Sequence, residues 1–285
     1  MPLLGAHMSI AGGYHKAVEE AHARGCDVVQ VFTKNSNQWR ARPISDEEAM
    51  RFSGALAELN IAHPISHSSY LINLASPNAL LRQKSIDALI VELQRADRLG
   101  ISYVVVHPGA YTTLDQREGM TLVAASINEI HDRAPGIGAQ IALEFTAGQG
   151  TCLGCSVEQL ATIVGQVKIA DRVRICVDTC HAFAAGIDLA DRKTYLAFWR
   201  QFDRLLGLDC LKAIHLNDSK RALGSRVDRH DHIGRGLIGL AAFRHLLSDR
   251  RLRHVPMYLE TPKGDHDGES WDAINLRTLR ELARG

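Results

Sequence analysis

Eight short apolar runs, separated by amphipathic stretches of helical length, leave this chain few folds to adopt. The runs are Leu3–Met8, Val28–Phe32, Ala62–His67, Tyr103–His107, Ile141–Phe145, Arg174–Asp178, Leu211–Leu216 and Val255–Glu260. Between and after them lie Tyr14–Arg24, Asp46–Leu59, Ala79–Leu99, Glu118–Arg133, Val157–Val167, Lys193–Leu206, Leu240–Asp249 and Trp271–Ala283. Strand followed by helix predicts a parallel sheet covered by helices, and eight such units close a (β/α)8 TIM barrel of the α/β class. An open doubly wound sheet is the alternative, but no GxGxxG follows the first run to favour it. Ser45 with Glu48 and Ser156 with Gln159 have capping-box spacing, and Gly25, Gly100 and Gly207 fall where a left-handed residue would end a helix. With 285 residues, 46% of them hydrophobic, residues 1–285 are read as a single TIM-barrel catalytic domain.

Overall charge is uninformative. Lys plus Arg number 33 against 32 Asp plus Glu, a net +1 that announces neither a nucleic-acid nor a membrane partner. The start of the chain lacks a basic segment leading into a long apolar one, and no apolar segment approaches the ~20 residues of a membrane span, so a cytoplasmic protein is expected. Six cysteines do not make a disulfide framework. Cys176 shares strand parity with Asp178 and is expected to fill space inside the sheet, while Cys152 and Cys155, with no second CxxC to accompany them, are read as reduced thiols.

The polar residues at the strand ends carry the chemistry. Asp178-Thr179-Cys180-His181 closes the sixth run with a carboxylate and an imidazole three residues apart, ordinary ligands for zinc but equally the signature of a capped turn. The other runs repeat the pattern, with His67, His107, Glu144, His215 and Glu260 at or near their ends, and Asp228-x-His230 follows the seventh. In a barrel these positions converge on the C-terminal mouth, where active sites form. With His181 they make nine candidate ligands, five His, two Glu and two Asp. So many ionisable groups around one mouth require cations to pair them, since an unpaired buried carboxylate costs several kcal/mol. His15, His22, His131, His245 and His254 sit in or next to helical stretches, and His7 and His232 are at best neighbours of the ligands.

These residues resemble the endonuclease IV family, metal-dependent enzymes that cut DNA at abasic sites, and the resemblance runs from Gly5 through Glu260. It rests on Phe32-Thr33-Lys34-Asn35 with Gln38-Trp39, His67 with Ser69-Tyr70-Leu71-Ile72-Asn73, and His107-Pro108-Gly109. It continues through Glu144 with Thr146-Ala147-Gly148-Gln149-Gly150, the segment Asp178–Gly186, His215-Leu216-Asn217-Asp218 and the segment Gly224–His230. The resemblance implies a (β/α)8 barrel with three Zn2+, one or more replaceable by Mn2+. His67 and His107 would bind one ion. Glu144 would bridge it to a second held by Asp178, His215 and Glu260, and His181, Asp228 and His230 would take the third. All nine ligand positions match. Three other positions depart, with Ser36-Asn37 where the family carries a basic residue, Ser68 in place of an Asp and Phe145 in place of an Asn.

The resemblance implies hydrolysis 5′ to an abasic site in double-stranded DNA, leaving a 3′-hydroxyl and a 5′-deoxyribose phosphate, and removal of 3′-blocking groups, by a monomer. Charge arithmetic agrees with it. Four carboxylates and five neutral imidazoles with three zincs leave about +2, suited to a hydroxide and one phosphodiester. The molecule's formal charge would rise from +1 to about +7, concentrated at one mouth. The expected mechanism is in-line attack by a zinc-generated hydroxide, with Glu144 and Glu260 as the catalytic carboxylates. Expected DNA contacts are Lys34, Asn35, Asn37 and Trp39 after the second run, the wedge Tyr70 and Leu71 after the third, and Lys220, Arg226 and Arg229 after the seventh, with Arg40, Arg42 and Arg221 in the same loops. Two other classes fit the fold: a sugar isomerase or epimerase, and a zinc-stabilised DNA-binding module without catalysis.

Overall fold

The computed structural model describes residues 2–284, and each apolar run forms one stave of a closed barrel. The strands are β1 (Leu4–Met8), β2 (Val28–Phe32), β3 (Ala62–His67), β4 (Tyr103–Val106), β5 (Gln140–Phe145), β6 (Val173–Asp178), β7 (Leu211–His215) and β8 (Met257–Leu259). All neighbours pair in parallel and β8 closes on β1. The helices are α1 (Tyr14–Ala23), α2 (Asp46–Glu58), α3 (Ala79–Arg98), α4 (Gln116–Arg133), α5 (Val157–Val164), α6 (Thr179–Ala184), α7 (Arg192–Leu206), α8 (Leu240–Ser248) and α9 (Trp271–Arg284). None is long and apolar enough to cross a membrane.

Period-two alternation divides each strand between two environments. Outward residues such as Val29, Val31, Val104, Leu143 and Val177 pack against the helices. Inward residues Val28, Ile65, Val105, Ala142, Cys176, Ala213 and Tyr258 meet on the axis as an apolar plug, with Cys176 as the expected small filler. Helix α7 shows the matching helical pattern. Tyr195, Phe198, Trp199 and Phe202 recur on one face and are buried.

Local signals act mostly as expected. Ser45 and Glu48 form a reciprocal capping box, and Gly25, Gly100 and Gly207 adopt φ of 76°, 70° and 76°. Ser156 caps α5 through Gln159 N, but the Gln159 side chain accepts from Gly154 and Cys155 instead of returning to Ser156. Helix α4 begins before Glu118, because Asp115 supplies the cap and Glu118 closes the box. The short helix α6 follows β6 directly, and antiparallel ribbons join Asp218–Ser219 to His230–Asp231 and Asp265–His266 to Glu269–Ser270.

Gly5 lets β1 approach β2. A Cβ there would stand 1.8 Å from the Val28 carbonyl oxygen. Gly5→Ala is therefore expected to destabilise the barrel by about 1–3 kcal/mol or more, as overpacking does. Urea unfolding measures this, and an alanine variant as stable as the parent would contradict the contact.

Candidate metal centre

Two residues beyond each plug member, the same strand or the residue that follows it delivers a polar side chain to the barrel mouth. Ile65 leads to His67, Val105 to His107, Ala142 to Glu144, Cys176 to Asp178, Ala213 to His215 and Tyr258 to Glu260. The same step from Gly5 and Val28 gives His7 and Gln30. One layer of the barrel thus collects eight polar side chains, six of them expected ligands.

Glu144 is the hub, with none of its side chain exposed. Its Oε2 lies 3.2 Å from His67 Nε2 and 3.0 Å from His107 Nε2. Its Oε1 lies 3.0 Å from His215 Nδ1 and 3.3 Å from His181 Nδ1. Burial pushes this carboxyl up, but His215 and His107 outweigh it and hold Glu144 well below the usual range.

Backbone carbonyls orient three of the imidazoles. His67 Nδ1 donates to Ser68 O at 2.8 Å, His181 Nδ1 to Phe145 O at 2.9 Å and His230 Nδ1 to Glu260 O at 3.2 Å. Each then presents Nε2 toward the cluster. This accounts for the departures at Ser68 and Phe145, whose main chains serve the site while the Phe145 ring packs on Phe198 of α7.

One oxygen of Asp178 caps a helix while the other faces the cluster. Its Oδ1 accepts from His181 N at 2.8 Å and starts α6, while Oδ2 accepts from Asn217 Nδ2 at 2.6 Å and faces His230. The loop between Ser219 and His230 docks on the end of α6, with Gly224 N and Arg226 N donating to the carbonyls of Phe183 and Ala184. That docking brings Asp228 within 3.1 Å of both His181 Nε2 and His230 Nε2.

Three clusters result whose donor atoms lie within 4.8 Å of one another: His67, His107 and Glu144; Glu144, Asp178, His215 and Glu260; and Asp178, His181 and His230. Asp228 joins His230 in a further group with Cys180. Burial disfavours charge on His67, His181 and His215, yet neighbouring carboxylates, and at His215 first the Cys176 sulfur, outweigh it and all three are shifted upward. Against burial, Asp178 and Asp228 push His230 up to about 9, and His215 brings Glu260 down to about 2. His7 goes the other way, down to about 3, because burial dominates. His230 Nε2 is buried and has no hydrogen-bond partner despite the nearby Asp228 oxygen. An orphaned nitrogen among oxygen and imidazole donors suits a divalent cation such as zinc.

The expected DNA contacts divide by environment. Tyr70 is 61% exposed, its ring standing 5.4 Å from that of His67 and 6.4 Å from that of His107. Beside it, His67, His107, Asn73 and Cys152 line a cavity of about 180 Å3. Asn35, Asn37, Lys220, Arg221, Arg226 and Arg229 are exposed, and Leu71 is half-buried.

Lys34 and Trp39 depart from the expectation of free loop residues. Lys34 is buried and pairs with Glu92 of α3 at 3.0 Å. Trp39 packs on the core, with the Lys84 ammonium 4.3 Å above its ring. Arg42 pairs with Glu48. Glu92 also accepts from Thr33 Oγ1 and Ser69 N, so one buried carboxylate ties together the loops carrying Asn35 and Tyr70.

Sequence reasoning missed Gln30, while His7 stands where it was read, beside the candidate ligands, bonded to Gln30 and 3.9 Å from Glu260. An amide in the middle of an apolar strand, in step with Val28, was the available signal.

The sequence model of the xylose isomerase-like TIM barrel family matches residues 18–282. A relative named probable endonuclease 4, from Trichlorobacter lovleyi, is 49% identical over 98% of this chain and 99% of its own length. The crystal structure of endonuclease IV from Thermus thermophilus superposes with a TM-score of 0.87 at 37% identity, covering 99% of each chain. A D-tagatose 3-epimerase-like protein shares the fold at 18% identity and a TM-score of 0.73, covering 99% of this chain and 97% of its own. The chain belongs to the endonuclease IV family within this barrel class.

Protons and cations compete for the same atoms here. Since His230 keeps its proton below about 9, cation affinity is expected to rise as pH rises from about 6 to about 9, with proton release on uptake. Zinc titration calorimetry in buffers of different ionisation enthalpy reads this, and uptake without proton release would contradict it. Glu92→Ala leaves Lys34 buried and unpaired and is expected to cost about 3–5 kcal/mol in urea unfolding.

Proposed function

We propose that this protein is a DNA repair endonuclease that hydrolyses the phosphodiester 5′ to an abasic site, leaving a 3′-hydroxyl and a 5′-deoxyribose phosphate, and that it clears 3′-blocking groups. The observation that carries the reading is the additional donor group in which His181 of α6 meets Asp228 and His230, which the loop after β7 brings to the barrel layer. An epimerase needs one or two cations and a base beside a carbon acid, and this group is superfluous to it. Family membership favours the same reading.

Three Zn2+, with Mn2+ able to replace one or more, would be held by His67, His107 and Glu144, by Glu144, Asp178, His215 and Glu260, and by His181, Asp228 and His230. Bound there, they supply Lewis acidity toward the phosphate and lower the pKa of water toward ~7. Glu144, with both oxygens engaged by imidazoles, holds the assembly's charge in place. Glu260 is 14% exposed, so its carboxylate has the solvent access needed to pass a proton outward.

Tyr70 at the rim is the wedge, entering the stack where a missing base makes unstacking cheap. Exposed Lys220, Arg226 and Arg229 contact phosphates, and Asn35 and Asn37 approach the same strand. The substrate is duplex DNA, and the protein acts as a cytoplasmic monomer.

A duplex with one tetrahydrofuran abasic analogue tests this. One nick 5′ to the analogue is expected, with a 3′ end that a polymerase extends. Chelation should abolish it and zinc restore it. Glu144→Ala should reduce the rate about 10³-fold or more, a loss of several kcal/mol of charge stabilisation. Lys220→Ala and Arg229→Ala should each lower the salt slope of binding by about 1. A mobility shift without cleavage would favour the binding module, and ketohexose epimerisation without nicking would favour the epimerase.

A further inference from the structure

We infer that Gln30 is a positioning residue of the metal centre, its amide selecting the nitrogen that His215 offers to a cation and holding Glu260 beside it. The inference rests on the reading that this cluster binds cations. Three of the five candidate histidine ligands are oriented by main-chain carbonyls at Nδ1 and turn Nε2 inward. His215 is reversed. Its Nδ1 faces Glu144 Oε1 at 3.0 Å and Glu260 Oε2 at 3.1 Å, and its Nε2 meets Gln30 Oε1 at 2.8 Å. At the ring nitrogen turned away from the cluster, His215 has the Gln30 side chain where the other three have a main-chain carbonyl.

The partners of Gln30 specify which end of its amide is which. A carboxylate only accepts, so the NH2 group must face Glu260, and Gln30 Nε2 lies 2.5 Å from Glu260 Oε1. Its second hydrogen points to His7 Nδ1 at 2.9 Å. The amide oxygen is thereby turned to His215, which must carry its proton on Nε2 and leave the Nδ1 lone pair facing the cluster. Gln30 is fully buried, so water cannot replace these bonds. Without the acceptor, His215 can move its proton to Nδ1 and cease to be a ligand. Without the donor, Glu260 loses one of its fixed oxygens.

Gln30→Met keeps the length and removes both functions, and Gln30→Glu keeps the acceptor for His215 but places a second carboxylate against Glu260. The test is zinc retention against graded chelator, with metal content read by mass spectrometry and thermal unfolding recorded on the stripped proteins. Gln30→Met is expected to lose one ion at a chelator concentration about 10–100-fold lower than the parent does, the range typical of groups that orient ligands. The ion at His67, His107 and Glu144 should be retained, and the Co2+-substituted protein should change its visible absorption. If Gln30→Met does not fold, Gln30→Glu, which removes only the donor to Glu260, is expected to release the same ion more readily than the parent. A folded variant that holds its ions as tightly as the parent overturns the inference, even if its melting temperature falls, because a purely structural role moves only that temperature. A parent that takes up no zinc overturns the metal reading and this inference together.

Discussion

A carboxylate sealed from water, Glu144, stands at the middle of the barrel mouth, and the surrounding architecture answers its charge. Below it the plug is apolar apart from the Cys176 thiol and the Tyr258 hydroxyl, and the latter donates to His63 O, so compensation comes mainly from the sides and above. Imidazoles of His67, His107, His181 and His215 supply it within 3.3 Å. In so poorly solvated a place, a lone charge costs several kcal/mol, whereas a ring of donors and cations can offset it. Catalytic charge is thus concentrated by the same burial that makes the barrel stable.

Most of the precision lies one bond further out. Main-chain carbonyls at Ser68, Phe145 and Glu260 decide the tautomers of three histidines, and Asn217 spans Asp178 Oδ2 and Glu260 N. Because these partners are mostly backbone, the side chains at 68 and 145 are free to vary without disturbing the ligands. Gln30 is the exception, a side chain assigned a task that backbone performs elsewhere.

The loops around the barrel mouth are gripped by the interior. Glu92 holds Lys34, Thr33 and Ser69 from beneath, and Ser69 Oγ donates to Ser36 O. Asp218 accepts from the backbone of Gly234 and Ile238 and shapes the stretch beyond the His230 ribbon. Exposed Tyr70 and Asn37 are therefore carried on loops tied to the interior.

Period-two runs and their helical partners were sufficient to determine the barrel, because hydrophobic alternation acts locally and closure follows from counting strands. The strand-end residues were legible for the same reason, since His67, His107, Glu144, Asp178, His215 and Glu260 share one parity. Other matters depended on approach in space. Lys34 and Trp39 read as loop residues until α3 brought Glu92 and Lys84 against them. Asp228 reached His181 only because the loop docked on α6. The tautomer of His215 was set by an amide 185 residues away in sequence. Local chemistry chose the elements and their polar ends, while tertiary packing decided which charges are paired, which are free and which nitrogen of each ring faces the site.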